Sequence, residues 1–83
     1  MLDSIRELRE SITQPQREAI GKILSEKEMA ALGSVLSSTN DPKKAESAVD
    51  RFKEILEENK IAGLRLWNNL EGRQREIIQN LIE

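Results

Sequence analysis

Glu46, Asp50 and Glu54 follow one another at i, i+4 spacing, which sets carboxylates side by side on a helix. Carboxylates that converge in a dry pocket can exchange protons with a substrate or hold a metal ion. Here Ala45, Ala48, Val49, Phe52, Ile55 and Leu56 claim the opposite face of the same stretch, so the three acids are expected in water. The chain has no His, Cys or Tyr. Histidine bases, Cys–His nucleophiles, Cys/His zinc sites and the Glu-x-x-His pairs of dimetal bundles therefore cannot be written in it. Serines and lysines are present, but no local signature supplies a serine with a base. Gly21, Gly33, Gly63 and Gly72 are dispersed, which leaves no phosphate-cradling loop. The expectation is a protein that is not an enzyme and uses no cofactor or metal.

What can act is the surface. Lysine and arginine number 13 against 15 acids, a net charge of −2, which exerts no general pull on polyanions. Nucleic-acid binding needs a concentrated basic face. The densest set here, Arg65, Arg73 and Arg75, is diluted by Glu71 and Glu76, so nucleic acid is not the expected partner. Trp67 has two readings. It is the largest side chain available to a small core, and tryptophan also dominates binding energy when it sits at an interface.

Helix signals position these residues. Ser4 with Glu7, Thr13 with Gln16, and Ser25 with Glu28 each have the form of a capping box. They predict helices over about 4–12, from Thr13 to about Leu24, and from Ser25 to Leu36, the last two either separate or continuous through Ser25. Residues 37–41 form a polar loop, and Asp41 before Pro42 is an N-cap followed by N1. The helix this opens runs to about Asn59. Beyond Ile61, an advance of 100° per residue from Leu64 places Trp67, Leu70, Ile77, Ile78 and Leu81 on one arc, interrupted at its centre by Gln74. That phase predicts one long helix over 61–82, bent near Gly72, with two helices broken at 68–72 as the rival.

Gln16-Arg17-Glu18 with Ile20 recurs as Gln74-Arg75-Glu76 with Ile78. Both read as polar opening turns of amphipathic helices, and an internal duplication is the other reading. The segment from Leu70 to Ile78 is similar to the opening of helix-turn-helix regions in sigma factors and related regulators. In those families a recognition helix follows. The resemblance covers about a tenth of the chain, lacks that following helix, and carries no function across.

The chain is therefore expected to be a single all-α domain over 1–83, a small bundle of five helices, or six. The first ten residues mix charges with no apolar h-region, and the longest apolar run is Met29–Leu32. Neither a signal peptide nor a membrane span is expected, and a cytoplasmic location follows. Small folds usually need a disulfide, a metal or a partner chain; with no Cys a disulfide is excluded, and with neither Cys nor His a structural zinc site is not expected. The functional expectation is a non-catalytic helical protein–protein interaction module (adaptor, inhibitor or regulatory subunit), forming a homodimer. Its interface is expected on Trp67, Leu70, Ile77, Ile78 and Leu81. A small helical DNA-binding transcriptional regulator is the alternative.

Overall fold

The computed structural model describes residues 2–82, which form six helices and no strand. These are α1 (Leu2–Ser11), α2 (Gln14–Ile23), α3 (Glu26–Ser37), α4 (Pro42–Glu58), α5 (Lys60–Asn68) and α6 (Gly72–Ile82).

Side chains that satisfy orphan backbone groups punctuate the helices. Thr13 Oγ1 accepts from the Gln16 N–H at 3.2 Å while Gln16 Oε1 accepts from the Thr13 N–H at 3.0 Å. Ser25 and Glu28 repeat the exchange at 3.3 and 2.8 Å. Both predicted boxes therefore form, and α2 and α3 separate at Ser25. Ser4 does not cap; α1 begins before it, at Leu2. Its proposed partner Glu7 is instead drawn to Arg73, 2.6 Å away.

Asp41 Oδ1 accepts from the Lys43 N–H at 3.0 Å, with Pro42 in the first turn of α4. Replacing Asp41 with Ala should cost about 0.5–2 kcal/mol. Ser37 closes α3 with an exposed hydroxyl bonded only to the Ser34 carbonyl, so Ser37→Ala should be close to neutral. Equal losses in urea denaturation at the two positions would contradict this start for α4. The loop itself is less hydrated than its composition suggests. Ser38 and Thr39 are buried, and the Ser38 hydroxyl donates to the Val35 carbonyl at 2.7 Å.

The long C-terminal helix predicted over 61–82 is two helices. Asn69 Nδ2 donates to the Arg65 carbonyl at 2.9 Å, and Arg75 Nε to the Trp67 carbonyl at 3.1 Å. These bonds satisfy the free end of α5. At the start of α6 the Glu71 N–H donates to Gln74 Oε1 at 2.9 Å. The break resets the helical phase. α5 turns Ala62 and Leu66 inward and Leu64 outward, whereas a continuous helix would have put Leu64 on the buried arc. Gly72 is not needed for an unusual backbone, because no glycine described here has positive φ.

Gln74 explains why the break is stable. It is only 5% exposed, and its amide pairs with that of Gln16 on α2. Gln16 Nε2 donates to Gln74 Oε1 at 2.7 Å, and Gln74 Nε2 donates back to Gln16 Oε1 at 3.1 Å. Gln74 Nε2 also reaches the Ser11 carbonyl at 3.0 Å, and Gln16 Nε2 the Asn69 carbonyl at 3.1 Å. The two recurring Gln-Arg-Glu segments thus meet through their glutamines, each in the first turn of its own helix.

A second bridge has the same design. Glu28 of the α3 box accepts from Asn59 Nδ2 at 3.2 Å, while Asn59 Oδ1 caps α5 through the Ala62 N–H at 3.3 Å. No buried side-chain nitrogen or oxygen is left without a partner among the described residues.

The core follows from these placements. α3 and α4 pack most extensively, α1 lies on α3 and α6, and α2 lies on α5. Ile5, Leu8, Ile20, Val35, Phe52, Leu66 and Ile77 are essentially sealed from solvent and belong to one cluster drawn from all six helices. The α4 stripe predicted from spacing is the observed one, with Ala45, Val49, Phe52 and Ile55 buried.

Candidate protein-binding surface

The structure divides the five residues expected to form an interface. Leu70, Ile77 and Ile78 are buried within the chain's own core, and of the three only Ile78 reaches the wall of a surface groove. The cause is the turn at 69–71, which swings α6 back against α1 and α4. Trp67 and Leu81 remain half-buried.

The exposed apolar surface lies on α5. Ile61 and Leu64 are 63% and 64% exposed, the only large hydrophobic side chains so placed among the described residues. At 100° per residue, Ile61, Leu64 and Trp67 occupy one arc, opposite Ala62 and Leu66. Sequence periodicity missed Ile61 and Leu64 as surface residues because it ran the phase of α6 back through the turn.

Beside this ridge runs a groove of about 500 Å³ between α4, α5 and α6. Its apolar lining includes Leu56, Leu64, Trp67, Ile78 and Ile82, with Lys53, Glu57 and Lys60 along its rim. Trp67 is held rather than loose. The Arg75 guanidinium lies 5.6 Å from its ring centroid, a cation–π contact worth about 0.5–1 kcal/mol at a partly exposed site. The Arg75 bond to the Trp67 carbonyl fixes the same pair from below. A tryptophan pre-positioned in this way forfeits little rotamer freedom when a partner arrives.

Some of the charge elsewhere is committed to intramolecular contacts. Arg73 pairs with Glu7 at 2.6 Å and Glu76 at 3.2 Å. The hydrogen bond from Arg73 holds the Glu7 carboxyl below the ordinary carboxylate range. Of the densest basic set, Arg73 and Arg75 thus have partners inside the chain. The three-residue turn between α5 and α6 has the length found in helix-turn-helix units. Its second helix, however, buries Gln74, Ile77 and Ile78.

Glu46, Asp50 and Glu54 are exposed on the outer face of α4, and Glu54 lies 4.0 Å from the Arg51 guanidinium. No group of three or more acidic side chains that could hold a metal ion occurs among the described residues. No helix among them is long and apolar enough to cross a membrane. Comparison with known protein families, curated proteins and solved structures finds no match.

Proposed function

We propose that this chain is a non-catalytic helical protein–protein interaction module of the cytoplasm. Its binding surface is the α5 ridge with the adjoining α4–α5–α6 groove, and its partner there is a second copy of the same chain. The observation that carries this reading is the pair of outward aliphatic side chains, Ile61 and Leu64, beside a fixed, half-buried Trp67. Large hydrophobic groups gathered at one place are characteristic of interaction sites, whereas single exposed ones are ordinary. Tryptophan at such a place is the usual centre of binding energy.

A ridge and a groove side by side suit a two-fold contact, because each copy can seat its ridge in the other's groove. Glu57 and Lys60 lie along the same rim and supply both signs of charge for exchange across the axis. The arrangement adds apolar burial that a core of this size lacks.

Sedimentation equilibrium tests the proposal. The natural chain should dimerise in the micromolar range, and Leu64→Asp should be monomeric. Because Leu64 is exposed, that variant should keep its folding stability within about 0.5 kcal/mol of the monomer's own value. Ile77→Asp, by contrast, should unfold the chain, since it sets a carboxylate in the core. A natural chain that stays monomeric at high micromolar concentration rejects the dimer.

A further inference from the structure

We infer that a second groove, formed by α1, α2 and α3, binds an acidic amphipathic helix of another protein, which makes the chain a two-sided adaptor. This extends the interaction-module reading and rests on it, but does not need the α5 surface to be the dimer contact. The groove has a volume of about 320 Å³ and shares no residue with the groove beside α5. Ile12, Ile20, Met29, Leu32 and Leu36 form its apolar walls, and Arg9 and Arg17 stand along it with no carboxylate among its lining residues.

The charge of this groove is unspent. Neither Arg9 nor Arg17 makes an ion pair or side-chain hydrogen bond, a state shared only with Arg65 among the described arginines, whereas Arg6, Arg51, Arg73 and Arg75 have partners. Their own helices offer none either. Positions three and four residues away hold Ile5, Arg6, Ile12 and Thr13 around Arg9, and Thr13, Gln14, Ile20 and Gly21 around Arg17, and only those spacings face each other on a helix. Two free guanidiniums beside an apolar trough complement a ligand with apolar side chains on one face and carboxylates along its margins.

Gly33 points to the size of that ligand. It lies in the interior of α3 on the groove lining, and a Cβ built there meets nothing within 4 Å. Glycine in a helix interior costs about 1 kcal/mol relative to alanine, and no neighbour in the fold requires it here. The missing side chain leaves room for a partner backbone to approach α3 closely. Met29, with its adaptable thioether, suits the same contact. The trough is open to solvent rather than enclosed, so it suits a helix laid against it better than a small molecule that must be surrounded.

The test is a titration of ¹⁵N-labelled protein, natural and Leu64→Asp, with two synthetic helices. Both carry leucines at i, i+3, i+4 and i+7; one flanks them with glutamates, the other with lysines. The acidic peptide should shift the Gly33 and Met29 amides of both proteins, saturably at peptide concentrations up to about 1 mM. The basic peptide should not. Added salt should weaken the binding, and Arg9→Gln with Arg17→Gln should weaken it about tenfold, as two partly exposed charge pairs would. Gly33→Leu should abolish binding while the helical content is kept.

Equal binding of the two peptides would overturn the inference. So would shifts confined to the α5 surface, or a response to sodium octanoate and not to the acidic peptide. Because Leu64→Asp disables the α5 ridge, a failed dimer and a failed second groove give different results.

Discussion

Phe52→Ala should remove most of the stability this fold possesses. Phe52 is the largest fully buried side chain and is 1% exposed, in the middle of α4. Truncating a buried phenylalanine costs about 3–5 kcal/mol, from lost transfer energy and from the cavity that remains. A domain of 83 residues has about 4–12 kcal/mol in total, at the usual stability per residue. The urea midpoint should therefore fall by about 3–5 M for an m-value of ~1 kcal/mol/M, which can exhaust the transition altogether. Phe52→Leu, which keeps most of the volume, should cost much less. A loss below about 1 kcal/mol for the alanine variant would mean that α4 is not the centre of the core.

Gln74→Leu should also be strongly damaging, although it replaces a polar side chain with an apolar one of similar size. The leucine removes the partner of the Glu71 N–H, of the Gln16 amide and of the Ser11 carbonyl. Each buried polar group left unsatisfied costs about 1–3 kcal/mol, and water can reach some of these, so a total of about 2–4 kcal/mol is expected. The double variant Gln16→Leu/Gln74→Leu should cost less than the two single changes together, because the two amides no longer strand each other. Simple additivity in urea denaturation would show that the amides act independently, contrary to the geometry.

Those two residues also show how far the sequence could be read. The α4 stripe was legible because its spacing, its N-cap and its proline all indicate one helix, and local and tertiary demands agree there. The boxes at Thr13 and Ser25 were legible for the same reason, since their bonds close within four residues. Ser4 with Glu7 has the same form and fails, because α1 already runs through Ser4 and Glu7 is held by Arg73, 66 positions away. The boundary between α5 and α6 was half-legible. Gln74 at the centre of an apolar arc is anomalous in a continuous helix and natural in an opening turn. The recurrence of Gln-Arg-Glu indicated an opening turn, while the apolar phase indicated continuity. What decides between them is Gln16, which no local pattern connects to Gln74. The exposed face of Ile61 and Leu64 was hidden by the same error of phase. The open groove at Gly33 has no periodic signal at all, because it depends on how three helices meet.

The glutamine bridge also bears on how the chain comes into being on the ribosome. Gln16 must wait for Gln74, made 58 positions later, and at about 5–20 residues per second that is a delay of several seconds. The pair α3 and α4, joined by a short loop, can associate early, because neighbouring segments lose little freedom in meeting. Of the six helices described, α1 and α2 emerge before the others and are thus among the last to be fastened, so translation and consolidation run in opposite directions through this bundle. A nascent chain stalled before Asn69 has emerged would carry α1 and α2 without their clasp, the stage at which a chaperone would find the most to hold.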